Sequence, residues 1–334
     1  MVVCVLGTIV LIFLLMMAFL KITSKLTMGW CTSNTCLEGK TVVITGGNSG
    51  MGFQTAMSLA GRGAKVIIGD VVNTDDSVKN IILETNNLNV RGKHLDLASL
   101  DSVRKFCKEI YEEEDRLDIL INNAGVGGVP LVHTKDGIQN HMQINYFGHF
   151  LLTHLLIDLL KRTKSRIIFI SSILAFIHNL SLKTLNSPTI FKREIATHLI
   201  IYGNSKLCEL IASNIFAEKL KNTSITSNAV YPGIVNTPMI YNTGGADAFK
   251  YLKIFGNFVL NVAGKTPYEG AQTQINCALS RDLDGVSGEF FADCKLFYQP
   301  RLARNKEFCK QIWDESEKLV KLKPEEKIEN VLNG

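Results

Sequence analysis

A β-branched run, Thr41-Val42-Val43-Ile44-Thr45, passes without a break into Gly46-Gly47-Asn48-Ser49-Gly50-Met51-Gly52, and an apolar-periodic segment follows as far as Gly61. A strand that turns this tightly into a helix opens a βαβ unit, which commits the chain to a parallel sheet covered by helices. Glycines in such a turn allow close backbone approach, and the N–H groups at the helix start suit a pyrophosphate. Glycine also marks ordinary turns. It is the strand-loop-helix setting that favours a phosphate site.

Further along, short β-branched runs keep alternating with longer segments of helical period. The candidate strands are Thr41–Thr45, Lys65–Asp70, Gly92–Leu97, Leu117–Asn122, Arg166–Ser171, Thr226–Val230 and Gly288–Phe291. Helices are predicted over Gly50–Gly61, Leu100–Glu114, Ile138–Leu160 and Ile195–Leu220. Strands such as Ile167-Ile168-Phe169-Ile170 read as unbroken apolar runs, as expected when both faces of a sheet are covered. The economical reading is one α/β domain over 39–323, a doubly wound parallel sheet of seven strands, with a C-terminal tail over 324–334.

The 334 residues are 46% apolar and 20% charged, which supplies a core and excludes a disordered chain or a small disulfide-stapled module. The net charge of +5 is thinly spread. Its most basic stretch, Arg301 to Lys327, interleaves Asp314, Glu315, Glu317, Glu325 and Glu326, so no nucleic-acid footprint is expected. Of eight cysteines only Cys31 and Cys36 are close, at a spacing that fits neither a redox motif nor a zinc finger. Reduced thiols are expected. His141, His149 and His154 share one predicted helix at spacings unlike a zinc pair, and no metal is expected.

The amino-terminal end differs in composition. No charge occurs from Val2 to Leu20, and nineteen residues at a helical rise of ~1.5 Å nearly cover a ~30 Å hydrocarbon core. A signal peptide would show a basic leader, a shorter apolar stretch and a small-x-small cleavage site, so residues 1–22 are read as a transmembrane anchor and 23–38 as a linker. Lys21 and Lys25 follow the run, which places the large C-terminal part in the cytosol, with the endoplasmic reticulum as the expected membrane. Sequons at Asn179 and Asn222 bear on this only if that orientation is reversed.

At the end of the second strand, Asp70 can accept hydrogen bonds from both adenosine ribose hydroxyls and would repel a 2′-phosphate. No Lys or Arg follows in Val71-Val72-Asn73-Thr74. NAD is favoured over NADP, unless Asp70 merely ends a strand or caps the next helix.

With these markers in place, the chain from Leu37 to about Leu322 resembles the short-chain dehydrogenase/reductase family. The resemblance rests on Thr45 to Gly52, Asp96, Asn122-Asn123-Ala124-Gly125, Asn145, Ser171-Ser172, Tyr202-Gly203-Asn204-Ser205-Lys206 and Pro232-Gly233-Ile234-Val235-Asn236-Thr237, in that order. It implies a single Rossmann-type domain. It also implies a dinucleotide held by Gly46, Asn48, Ser49, Gly50, Met51 and Gly52. Asp70 would meet the ribose, and Asp96 with Leu97 would lie beside the adenine. Asn123, Ala124 and Gly125 would lie against the cofactor; Pro232, Gly233, Val235 and Thr237 would orient the nicotinamide.

Tyr202 and Lys206 lie one turn apart on a predicted helix. A phenol titrates ordinarily near 10, and an adjacent ammonium favours the phenolate, so Lys206 is expected to bring Tyr202 down and make it a general base for alcohol oxidation or a general acid for carbonyl reduction. Without the other markers the same pair would read as an exposed surface pair. Ser172 is expected at the carboxyl edge of the sheet, polarising the substrate oxygen. The family alignment favours it over Ser171. Asn145 resembles the family asparagine that holds a water between Lys206 and solvent.

Within the family the resemblance is to membrane-anchored retinol dehydrogenases, carried by Asn145–Thr153, Lys265–Thr273 and Ser287–Lys295. Many such relatives carry a basic residue after the second strand and use NADP, and Asp70 departs from that. The segment from Ser172 to Tyr202, thirty positions apart, is rich in apolar residues, and so is the segment from Phe249 to Leu260, which reads either as core or as a lid over a lipophilic substrate. The expected activity is hydride transfer between NAD and a retinol-like or steroid-like alcohol, with a homo-oligomer admissible. The alternatives are an NADPH-dependent reductase of lipid aldehydes and a silent dinucleotide-binding membrane protein.

Overall fold

The computed structural model describes residues 2–236 and 264–333. Thr237 and the Phe249–Leu260 segment lie outside them. One sheet contains β1 (Thr41–Thr45), β2 (Lys65–Asp70), β3 (Val90–His94), β4 (Ile119–Asn122), β5 (Arg166–Ile170), β6 (Thr226–Tyr231), β7 (Phe290–Ala292) and β8 (Lys295–Leu296), in the spatial order β3-β2-β1-β4-β5-β6-β7-β8. The first seven are parallel and β8 returns antiparallel along β7. The order reverses between β1 and β4, which opens a crevice at the carboxyl ends of the strands.

The helices are α1 (Val2–Thr27), α2 (Gly50–Ala60), α3 (Asp75–Thr85), α4 (Leu100–Glu113), α5 (Gly148–Lys161), α6 (Glu194–Lys219), α7 (Pro267–Leu279), α8 (Lys306–Leu319) and α9 (Ile328–Asn333). Side-chain alternation along the strands divides the core into two layers. Val43, Ile67, Leu120, Ile167 and Phe169 pack with α4, α5, α6 and α8. Val42, Ile44, Val66, Ile68, Ile121 and Ile170 pack with α2 and α7.

Several sequence expectations need correction. The sheet has eight strands, because Asp293 (φ 48°) and Cys294 (φ 58°) form a two-residue hairpin with both central residues left-handed. Such a turn ordinarily announces itself with Asn-Gly or Asp-Gly, and Asp-Cys gives no such signal. The predicted third strand begins earlier, at Val90, and ends at His94. The predicted helix Ile138–Leu160 is broken into a turn at Asn140–Met142, a π-helix at Gln143–Phe147 and then α5.

The helix α1 extends past the apolar run to Thr27 and includes Lys21 and Lys25. Among the described residues no helix is long and apolar enough to cross a membrane, so the expected span is not seen as such. The end of α1 and the residues after it dock along α7. The Lys25 ammonium pairs with Glu269, and Trp30 packs on Tyr268 at 5.9 Å. The Cys31 N–H donates to Gln272 Oε1 at 3.3 Å, and the hydroxyls of Ser33 and Thr35 donate to the Leu279 carbonyl. Gly29 is required here, since a Cβ would stand 1.9 Å from the Asp293 carbonyl oxygen. At the other end, Ile328 of α9 is buried, and Lys161 on α5 donates to the Val331 carbonyl.

Candidate active site

The Gly-rich turn leaves β1 at Thr45. Gly46 (φ 66°) and Gly50 (φ 56°) occupy conformations that favour glycine. Gly52 is held by a close approach, because a Cβ there would meet the Gly46 carbonyl at 2.1 Å and Asn123 Nδ2 at 2.5 Å. Ser49 caps α2 in extended conformation without a side-chain bond to the helix, and the first turn carries no acidic residue. The start of α2, lined by Gly50, Met51 and Gly52, is therefore free to receive an anion. These residues fit a dinucleotide pyrophosphate.

At the end of β2, Asp70 accepts from the Asn48 N–H at 3.3 Å and from the Val72 N–H at 3.1 Å. Its carboxylate thus faces the Gly-rich loop at the crevice. Asp96 follows β3 and accepts from the Ala98 N–H at 2.9 Å, and buried Leu97 lies under Gly148, the first residue of α5. Asn123 donates to the carbonyls of Thr45 (2.9 Å) and Gly46 (3.3 Å), tying the turn after β4, with Ala124 and Gly125, to the Gly-rich loop. Beyond β6, Gly233 (φ 93°) presses on Lys265, whose ammonium donates to the Pro232 carbonyl and pairs with Asp293 at 2.6 Å. Val235 bridges to Lys265. This clamp holds the point where the chain leaves β6.

Ser171, directly after β5, is turned into the protein and donates to the Lys206 carbonyl at 2.6 Å. Ser172 is half-buried, its Oγ accepts from the Leu174 N–H at 3.2 Å, and its hydroxyl lies near enough to the Tyr202 phenol to lower it. The Lys206 ammonium stands 5.5 Å from the Tyr202 ring centroid, donates to the Ile170 carbonyl at 2.7 Å and lies 2.8 Å from Glu209 Oε2. Asn145 falls in the π-helix, where the local widening re-aims a side chain. Its Oδ1 accepts from the Val126 N–H, while Nδ2 donates to the Val126 carbonyl and to Ser205 Oγ at 3.1 Å. Asn145 therefore joins the loop after β4 to α6, which is the reason a residue of poor helix propensity sits there.

The expected lowering of Tyr202 needs correction. Burial is the largest influence and raises the phenol. The Lys206 ammonium lowers it as anticipated and Glu209 raises it, while the Ser172 hydroxyl lowers it; the net direction is upward. Burial pulls Lys206 down, but Glu209 and Tyr202 outweigh it and hold the ammonium above its ordinary value.

Sequence reasoning passed over several residues of the site. Thr45 Oγ1 accepts from the N–H groups of Asn123 and Ala124, at 2.9 Å each, so its proton is the one shared with His149 Nε2 at 2.8 Å. His149 then donates from Nδ1 to the Asn145 carbonyl at 2.9 Å. Asn204 exchanges two bonds with Asn179, tying the Ser172–Tyr202 segment to α6, while the Asn179 amide nitrogen of the first sequon donates to Thr189 Oγ1. Glu209, at 0% exposure, had one legible signal: a carboxylate inside Leu207-Cys208-Glu209-Leu210-Ile211. The described cysteines are free thiols, and among the described residues no group of His, Cys, Asp and Glu could hold a metal.

A Gly-rich β1–α2 turn, a carboxylate ending β2, and a Ser-Tyr-Lys cluster at the carboxyl edge of such a sheet define a nicotinamide-dinucleotide oxidoreductase of the short-chain type. The comparisons agree, and the chain belongs to the short-chain dehydrogenase family, close to the retinol dehydrogenases. The family model described as short chain dehydrogenase matches residues 40–184. Retinol dehydrogenase 12 of Mus musculus is 37% identical over 300 residues, covering 87% of this chain and 90% of that protein. Retinol dehydrogenase 14 of Mus musculus is 39% identical over 298 residues, covering 85% and 86%. Among solved structures, an uncharacterized protein from Mycobacterium paratuberculosis superposes with a TM-score of 0.68 at 27% identity, covering 88% of this chain and 98% of that one. A short chain dehydrogenase from Shigella flexneri, complexed with NADP, has a TM-score of 0.58 at 21% identity and covers 78% and 98%.

Proposed function

We propose that this protein is an NAD-dependent oxidoreductase of lipophilic alcohols, retinol-like or steroid-like, with Tyr202 as the general acid/base. The observation that carries this reading is the convergence of Ser172, Tyr202 and Lys206 beside a crevice lined by the Gly-rich turn. A bound nicotinamide would supply a hydride acceptor or donor. The chain's own residues do the rest. Ser172 holds the substrate oxygen against the Tyr202 hydroxyl, Tyr202 takes or gives the proton there, and Lys206 stabilises the phenolate. Asn145, bonded to Val126 and Ser205, fixes the loop after β4 against α6 beside Lys206.

Asp70 supports NAD, because its carboxylate offers acceptors to ribose hydroxyls and repels an added phosphate. Relatives named as retinol dehydrogenases support a lipophilic alcohol. So do the exposed apolar side chains of the Ser172–Tyr202 segment, among them Phe176, Ile177, Ile190 and Phe191. The uncharged run of α1, with Leu11, Ile12, Leu15 and Phe19 exposed, supports attachment to a membrane, read as the endoplasmic reticulum with the catalytic domain in the cytosol. A second reading, reduction of lipid aldehydes, is favoured by the raised Tyr202, since a phenol that keeps its proton at neutral pH is the form that donates to a carbonyl.

The test is a panel of retinoids, sterols and long-chain alcohols, with the matching aldehydes and ketones, assayed on membranes bearing the full chain with each nicotinamide cofactor. Alcohol oxidation with NAD is expected. Tyr202→Phe should lose about 10²- to 10⁴-fold in kcat while binding NADH unchanged. A Tyr202→Phe protein that oxidises alcohols at the wild-type rate would refute the assignment.

A further inference from the structure

Glu209 is fully buried on α6, and its one cationic partner among the described residues is Lys206 Nζ, 2.8 Å from Oε2. Neither carboxylate oxygen makes a hydrogen bond beyond that ionic contact. His149 Nδ1 stands 3.7 Å from Oε1 but already donates to the Asn145 carbonyl. A buried carboxylate this poorly supplied with donors is costly to keep, and an apolar residue of similar size would fill the space more cheaply. Its position one turn beyond the Tyr-Lys pair indicates what it does.

Lys206 is held from two directions, by the Ile170 carbonyl at 2.7 Å and by Glu209, while it lies 5.5 Å from the Tyr202 ring centroid. Paired this closely, it presents Tyr202 with a dipole in place of a full positive charge. We propose that Glu209 is a positioning residue of this pair: it fixes the Lys206 ammonium and cancels part of its field at the Tyr202 hydroxyl, so the phenol releases its proton at higher pH than Lys206 alone would set. This rests on the reading of Tyr202 as the proton-transfer group.

Among the described residues few other charges face the pair. Helix α6 itself contributes Tyr202, Lys206 and Cys208, and α5 contributes His149. From β5 and the turn after it come the Ile170 carbonyl and the Ser172 hydroxyl. His141, before the π-helix, pairs with His198 near the start of α6, and Cys309 of α8 faces Cys208. Removing one unit charge from such a cluster, at an effective permittivity of about 20, moves a phenol by on the order of one pH unit.

The experiment uses the full chain with ring-labelled tyrosine. The Tyr202 carbon resonance, assigned by its loss in Tyr202→Phe, is titrated in wild type, Glu209→Gln and Glu209→Asp. Glu209→Gln should move the midpoint down by about one unit, and the acid limb of the alcohol-oxidation profile should move with it. Glu209→Asp, which keeps the charge but withdraws it, should fall between. A merely structural Glu209 would lower stability and leave the titration where it was, and an unmoved midpoint in folded Glu209→Gln overturns the proposal. If that variant does not fold, absence of a downward shift in Glu209→Asp overturns it equally. A titration that moves as expected in a protein that oxidises no alcohol would sink the functional reading and leave the Glu209 assignment standing.

Discussion

Gly203, next to Tyr202 on α6, sets helix propensity against tertiary contact. By propensity alone, replacing a mid-helix glycine with alanine should stabilise by about 1 kcal/mol. The structure reverses the sign. A Cβ at Gly203 would stand 2.0 Å from the Ile177 carbonyl oxygen and 2.7 Å from that of Leu174, whereas ordinary contacts begin at 3.4 Å. Both neighbours are backbone, so the turn after Ser172 must withdraw from α6 by about 1 Å or more. Overpacking of this kind costs about 1–3 kcal/mol or somewhat above. Contacts of 2.0 Å with backbone put the cost near the upper end, so after the propensity gain of about 1 kcal/mol Gly203→Ala should be destabilised by about 2 kcal/mol, a fall in Tm of roughly 4 °C for a chain of this size. Because the displaced turn carries Ser172, kcat/KM should fall about 10²-fold, the usual consequence of a 1 Å misplacement near the reacting atoms. The measurements are thermal unfolding followed by circular dichroism and steady-state kinetics on the best alcohol of the panel. A rise in Tm, or kinetics within twofold of wild type, would refute the view that this close approach positions the serine.

Asp70→Asn should reduce the preference for NAD over NADP about tenfold in Kd, a figure already discounted for the partial exposure of the carboxylate; fluorescence titration with NADH and NADPH measures it, and a wild type that prefers NADPH defeats the charge argument. His154 is packed against Phe150, Phe216 and Trp313, and burial holds it down at about 4. The unfolded chain takes up a proton near 6.5, so stability is intact above that pH and is lost as pH falls from about 6.5 toward 4, by about 3 kcal/mol in all. Urea midpoints across this window should decline in wild type and decline less in His154→Phe; parallel curves would exclude His154 as the cause.

What a reader of the sequence could see depended on whether neighbours along the chain or neighbours in space decided it. The β1–α2 turn was visible because glycine, a β-branched run and helical periodicity all act locally, and the parallel sheet followed from the same alternation. Helix α7 could also have been read from Thr266, Pro267 and Glu269, which form its capping box. By contrast, β8 exists because Asp293 and Cys294 accept left-handed conformations under the load of Gly29 and Lys265 packed around them.

The four residues Asn145, Ser172, Tyr202 and Lys206 were nameable from spacing and from a family pattern. Their sequence alone determined which chemistry could be present: a phenol, an ammonium one turn away and a hydroxyl at a strand end. Tertiary structure alone decided how strongly that phenol holds its proton, because burial and the Glu209 carboxylate, seven positions away from Tyr202 but opposite the ammonium, outweigh the lysine that spacing had put in charge. Periodicity reports which face of an element is covered; the field at one atom depends on every charge nearby and on how much water has been excluded.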